Sequence, residues 1–186
     1  MIRAFLALEI PRHIRSQLVL QQFLLPIKRK LPPENFHITL VFLGECRATL
    51  LEEMHLQLMQ TRLPALRLQI KGLGLFGKAK PHNLHARLAP NPELERMQAR
   101  LEHIARGCGV DIPARRFTPH VTLSYLRPGS FEPAELEAAV VRDALFQTEP
   151  FEVSQMALMR STLRADGAVY DVLEHYPLGP GDDQNR

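Results

Sequence analysis

Tryptophan is absent from this 186-residue chain, and phenylalanine and tyrosine bring the aromatic share to only 6%. Proteins that hold single-stranded nucleic acid by stacking successive bases need more rings, so extensive stacking of that kind is excluded. Only two cysteines occur, Cys46 and Cys108. They are too few for a disulfide framework and lack the CxxC spacing of a structural metal site. No stretch approaches the roughly 20 apolar residues of a membrane span. The opening MIRAFLALEIP carries one arginine and a short apolar run ended by Glu9 and Pro11. That is not the longer apolar core and small-residue cleavage site of a secretory signal. A soluble cytoplasmic protein with no membrane partner is expected. Hydrophobic residues at 45% and charged residues at 23% are ordinary globular usage and exclude disorder.

The net charge of +3 says little until the chain is divided. Residues 1–89 carry 13 Lys/Arg against 5 Asp/Glu, whereas residues 90–186 carry 10 against 15. The halves therefore stand at +8 and −5. Such an asymmetry suggests that one half meets something anionic.

The pattern of elements repeats. IRAFLALEI (2–10) reads as a buried strand, and a helix from Pro11 to about Leu25 follows, with Ile14, Leu18 and Gln21/Gln22 at helical spacing. After the basic Lys28-Arg29-Lys30 and the turn at 32–33 come a strand (36–43, closed by Gly44), a helix (48–60) and a strand (65–73). A Gly/Lys-rich loop (72–81) leads into the second half, and its glycines serve turns because no phosphate-binding Gly fingerprint accompanies them. There the order recurs as strand 83–90, helix 92–107, strand 119–126, helix 133–146 and closing strands at 151–161 and 168–176, with a frayed tail at 179–186. The spacing from Ile2 to His37 is 35 residues and from Leu84 to His120 is 36. The fold class expected is α+β, a duplicated strand–helix–strand–helix–strand unit. Residues 1–178 would form one bilobal domain, with lobes roughly from 1–82 and 83–178. Two antiparallel-rich sheets would line a central cleft with helices outside.

Each repeat carries the same four residues at the same place: His37-Ile38-Thr39-Leu40 and His120-Val121-Thr122-Leu123. With 8 histidines, 7 threonines and 30 leucines, composition alone predicts about 0.05 such matches. On a strand, side chains alternate, so His37 and Thr39 share one face and Ile38 and Leu40 the other. The second motif behaves likewise. If the repeats face each other, two imidazoles and two hydroxyls converge. One neutral histidine to take a proton from water and one protonated histidine to supply the leaving oxygen are what phosphodiester hydrolysis needs. Threonine hydroxyls suit the non-bridging phosphate oxygens. Such a site requires no cofactor and no metal.

These motifs, with IRAFLALEIP, LPPENFHITLVFLGE, LQIKGLGLFG, RRFTPHVTLSYL and YDVLEHYPL, resemble the two-histidine (2H) phosphoesterase superfamily. Within it the chain is similar to the RNA 2′,3′-cyclic phosphodiesterases, also called 2′-5′ RNA ligases, over nearly its whole length. The resemblance implies a bilobal fold and cofactor-free hydrolysis of a 2′,3′-cyclic phosphate to a 2′-phosphomonoester. It also implies that His37 protonates the departing ribose O3′ and His120 activates water; the residues themselves permit either assignment. The expected partner is RNA with a 2′,3′-cyclic phosphate end or a small cyclic nucleotide, and a monomer is expected. Three alternatives use the same cleft: 2′-5′ RNA ligation, hydrolysis of small cyclic nucleotides, and an RNA-end-binding module without turnover.

Two positions depart from the family pattern. Where an arginine usually follows the second motif histidine by five residues, this chain has Tyr125, with Arg127 two residues on. That keeps strand parity but displaces the group by about 7 Å. Where members often carry tryptophan, this chain has His85. Tyr125, Arg127, His85 and Lys30 are therefore candidate substrate contacts. His82 and His85 form an HxxH without a third nearby ligand and are read as surface or cleft-rim residues. Arg115 and Arg116 precede the second motif as Lys28–Lys30 precede the first, and both segments are candidates for RNA-backbone contact. Phe5, Phe36 and Phe117 are expected to support the core or the motifs.

Overall fold

The computed structural model describes residues 1–77, 79–164 and 167–179. Its elements are β1 (Ile2–Glu9), α1 (Arg12–Phe23), a 3₁₀ turn (Pro33–Asn35), β2 (His37–Cys46), α2 (Ala48–Met59), β3 (Leu66–Leu68) and β4 (Ile70–Phe76). Then follow β5 (Asn83–Leu88), α3 (Pro92–Gly107), β6 (His120–Tyr125), α4 (Pro133–Arg142), β7 (Phe151–Val153), β8 (Gln155–Arg164) and β9 (Gly167–Pro177). The expected mixed α+β class is what forms. The tail expected at 179–186 lies, from residue 180 on, outside the described residues.

The strand expected to close at Gly44 runs through it to Cys46, because β1 pairs as far as Ile2 opposite Cys46. Four further boundaries move, each for a reason of pairing. The strand expected at 65–73 breaks at Gln69: β3 pairs with β7 in a two-stranded sheet, while β4 joins the large one. The strand expected at 151–161 breaks in the same way at Ser154, between β7 and β8. Much of the expected 72–81 loop is also strand. Gly72 sits at φ +80° beside the register shift between Ile70 and Leu73, a backbone position that glycine adopts without strain. Finally, α4 ends at Arg142 rather than near 146. Phe146 leaves to accept the Gly72 amide at 2.6 Å, and Gln147 bridges Lys71.

The large sheet has the order β4-β5-β6-β2-β1-β8-β9, antiparallel throughout. Its three-stranded and four-stranded portions meet where β2 and β6 pair at a single position, Ile38 opposite Val121. Each portion draws on both sequence repeats, since β8 and β9 lie beside β1 whereas β4 lies beside β5.

Alternation decides what each face carries. Leu6, Leu8, Ile38, Leu40, Leu84, Ala86, Val121 and Leu123 are buried in one core with Ile14 and Leu18 of α1, Met54 of α2, Leu94 and Leu101 of α3 and Leu136 of α4. Each fully buried Leu or Ile stabilises the fold by about 1.5–3 kcal/mol. The opposite parity of β1 forms a second small cluster, Phe5 and Ala7 with Ala157 and Met159, packed against Tyr170. The helices thus take one face of the sheet, and the polar residues of the two motifs are left on the other.

Candidate active site

His37 and His120 open β2 and β6, and the two strands enter the seam from opposite directions. Ile38 and Val121 point into the core, so the flanking residues of both motifs turn to the open face. Both imidazoles are held by the same local device. His37 Nδ1 lies 2.7 Å from the carbonyl of Asn35, and His120 Nδ1 lies 2.7 Å from the carbonyl of Thr118. A carbonyl accepts and does not donate, so Nδ1 carries the proton in each. In the neutral ring, Nε2 is then the free base.

The two histidines are close enough to feel each other's charge. Burial, opposed by the Asn35 carbonyl and assisted by His120, holds His37 below the ordinary value of 6.5. Burial also holds His120 below that value, against the pull of the Thr118 carbonyl. Both rings are therefore largely neutral at pH 7 until an anion arrives to favour the charged form.

The threonines differ although their motifs match. The Thr39 hydroxyl lies 3.1 Å from His37 Nε2. Thr122 is only 9% exposed, and its hydroxyl oxygen accepts the Asn83 amide at 3.0 Å. Asn83 Oδ1 is in turn 3.1 Å from His85 Nδ1. His85, 3% exposed, stacks on Phe76 at 4.1 Å between centroids and stands 5.0 Å from the His120 ring. Burial, then the charges of His120 and Arg87, push its pKa down to about 3. His85 is therefore buried beneath the site rather than at its rim, while His82 is exposed; His85 reaches the site through its neighbours His120 and Asn83.

His37 and Thr39 line a cavity of about 530 Å³ with Arg3, Phe5, Phe42, Tyr125, Arg127 and Tyr170. Phe5, His37 and Tyr170 form a triangle of rings with centroids 5.0–5.2 Å apart. Tyr125, half exposed, hydrogen-bonds Tyr170 across the groove; burial, and then this neighbour, raises the Tyr170 phenol above its ordinary value. A second cavity of about 390 Å³ shares Tyr125, Arg127 and Tyr170 and adds Arg29, Lys30, Glu34 and Asn35. Buried Gln22 pins this basic segment by donating to the carbonyls of Leu31 and Leu123, and Ser124 donates to the carbonyl of Arg29. The Lys30 ammonium lies 4.7 Å above the Phe23 ring.

Of the residues singled out in the sequence, the structure gathers His37, Thr39, His120, Thr122, Tyr125, Arg127 and His85 in or beside one groove, with Lys30 in the adjoining cavity. Arg115 and Arg116 sit exposed in the segment before β6 and line neither cavity. Phe36 is core, Phe117 packs against it, and Phe5 supports His37. Among the described residues, no group of three or more His, Cys, Asp or Glu is placed to hold a metal ion, and no helix is long and apolar enough to cross a membrane. Asn83, Phe76 and Tyr170 carry no motif of their own. The one sequence signal for Asn83 is its parity with His85, two residues on.

The sequence pattern of the 2′-5′ RNA ligase superfamily matches residues 11–164. An RNA 2′,3′-cyclic phosphodiesterase of Thermus thermophilus is 31% identical over 188 residues, covering 95% of this chain and 90% of that protein. One from Aeropyrum pernix is 30% identical over 143 residues, covering 75% and 80%. The crystal structure of TT0787 from Thermus thermophilus superposes with a TM-score of 0.79 at 27% identity, covering 97% of this chain and 100% of that one. E. coli LigT in its apo form, at 23% identity, shares the fold with a TM-score of 0.75 over 96% and 98% of the two chains.

Proposed function

This chain belongs to the 2′-5′ RNA ligase superfamily, and we propose that it hydrolyses 2′,3′-cyclic phosphate ends of RNA to 2′-phosphomonoesters by two-histidine acid–base catalysis. The observation that carries this reading is the matched pair of imidazoles, each with Nδ1 committed to a backbone carbonyl and Nε2 left for proton transfer. The relatives named RNA 2′,3′-cyclic phosphodiesterase support the substrate class.

In this mechanism neutral His120 takes a proton from water as the water oxygen bonds to phosphorus. The P–O3′ bond breaks, and His37 in its protonated form gives its Nε2 proton to O3′. The product is a 2′-phosphate and a free 3′-hydroxyl, and proton exchange with solvent restores both rings. The assignment is supported by surroundings: His37 lines the walled cavity, with room for the departing ribose, whereas the His120 contact with Thr118 is open to solvent. Thr39 and Thr122 meet the non-bridging oxygens. Arg127 takes the place of the arginine displaced by Tyr125. Lys30, with Arg127, leads the RNA backbone into the adjoining cavity, and Tyr125 forms the wall between. His85 meets the substrate only through His120 and Asn83. No step calls on a metal or cofactor. The unit is one bilobal domain over residues 1–178, acting as a monomer in the cytoplasm, a setting in keeping with two free buried thiols.

The test is product analysis of an oligonucleotide ending in a 2′,3′-cyclic phosphate, with and without EDTA. A 2′-phosphate in both reactions is expected. A 3′-phosphate, a ligated product or no turnover would overturn the reading, as would activity lost to EDTA and restored by a divalent ion.

A further inference from the structure

Asn83 lies at the start of β5, 6% exposed, with both ends of its amide engaged. Its Nδ2 donates to the Thr122 hydroxyl oxygen and its Oδ1 faces His85 Nδ1. We propose that Asn83 is a positioning residue: it commits the Thr122 hydroxyl to donate into the groove, toward a non-bridging oxygen of the phosphate. This rests on the hydrolytic reading above.

A hydroxyl has one proton and two lone pairs, and by itself it turns to whichever partner is nearest. Here one lone pair is already occupied by an amide N–H, so the O–H must point away from Asn83. The sense of the amide is tied to the tautomer of His85. His85 is kept neutral by its surroundings and so has a single N–H to give. With that proton on Nδ1, Asn83 must present oxygen to His85 and nitrogen to Thr122. His85 itself is fixed by stacking on Phe76 and by Gly74 opposite, where an added Cβ would come within 2.6 Å of His85 Nε2. The orientation is thus passed along three buried side chains to one proton.

The first motif has no counterpart to this arrangement among the described residues. The Thr39 hydroxyl contacts His37 Nε2 and takes its direction from the protonation of that ring. Identical motifs therefore yield two different hydroxyls: one coupled to the acid–base group, and one held as a fixed donor. A fixed donor is already aimed when charge develops on the phosphate, so no reorientation is required in the transition state.

The test is a double-mutant cycle on a 2′,3′-cyclic mononucleotide, using Asn83→Leu, Thr122→Val and the double variant, each measured at its own pH optimum. Asn83→Leu is expected to lower kcat about 10-fold, part of the loss typical of a whole transition-state donor, with KM little changed. In the Thr122→Val background it should cost nothing further. Asn83→Asp keeps the size and still accepts from His85, but offers Thr122 only an acceptor, so kcat should fall at least as far. An equal loss in both backgrounds, or a wild-type kcat for Asn83→Asp, would overturn the proposal. Binding of a nucleoside 2′-monophosphate supplies the same cycle without turnover. Weakened, non-additive binding supports the assignment, and additive or unchanged binding refutes it. Failure of the wild-type protein to hydrolyse the cyclic substrate would instead count against the hydrolytic reading, leaving the binding cycle to decide the role of Asn83.

Discussion

Ile38 stands opposite Val121 at the single pair that joins β2 to β6, and neither residue has exposed surface. Counting outward from that pair in the antiparallel sense sets His37 level with Thr122 and Thr39 level with His120. The two imidazoles thus lie diagonally across one backbone pair whose side chains are both in the core. Shortening Ile38 to alanine should cost about 2–5 kcal/mol of stability, against about 0.5–1.5 for Ile38→Val. Denaturant unfolding measures both. Turnover under conditions where each variant remains folded should stay near wild type for Ile38→Val and fall for Ile38→Ala.

Both motif histidines titrate below 6.5, chiefly through burial. The mechanism needs one ring protonated and one neutral, and that form is most populated between the two free-enzyme values. The pH profile of kcat/KM should therefore peak below 6.5 and decline above it. The kcat profile should lie further toward alkaline pH, because bound phosphate favours the charged ring. A kcat/KM optimum well above about pH 7 would contradict the assigned surroundings.

His85 ties acidity to folding. Its pKa of about 3 in the folded chain lies below the ordinary 6.5, so the unfolded chain binds the extra proton first. The stability this histidine contributes is fully present above about pH 6.5 and is lost as pH falls toward 3. Thermal melts should show a midpoint that drops with acidification through this window. His85→Phe, which keeps a ring against Phe76 and cannot titrate, should make that drop shallower.

Lys30 reports on the path of the RNA. Lys30→Ala should weaken binding of a cyclic-phosphate oligonucleotide and reduce its log–log salt slope by about 0.7, the contribution of one single-strand phosphate contact. Binding of a cyclic mononucleotide should scarcely change. Equal effects on both ligands would remove the adjoining cavity from the RNA path.

Much of this architecture was legible in the residues because it rests on short-range chemistry. The repeated His-x-Thr-Leu motif needs only strand alternation to place two imidazoles and two hydroxyls on the face away from the core. Helix α3 keeps its expected bounds because its start and stop signals are local: the Asn91 side chain accepts the Leu94 amide, Pro92 opens the first turn and Gly107 closes the last. The break at Gln69 was hidden because alternation continues through it; at Ser154 two successive polar residues, Ser154 and Gln155, do interrupt the alternation, but only the partner strands decide which sheet each piece joins. The end of α4 was hidden for the same reason, since Phe146 and Gln147 fit the helical pattern until β4 offers them backbone partners. Asn83, Phe76 and Tyr170 reach the site from strands distant in sequence, so pairing reveals them and composition does not. The charge asymmetry indicated an anionic partner without placing it; the two motifs, one in each half, put the proposed phosphate between the halves.

In the proposed reaction His37 and His120 act together. Steady-state turnover of a 2′,3′-cyclic phosphate substrate by His37→Ala and His120→Ala, each verified as folded, tests it most directly. Each substitution should lower kcat by about 10²-fold or more, the usual loss on removing a general acid or base. Near-wild-type turnover by either variant would contradict the account.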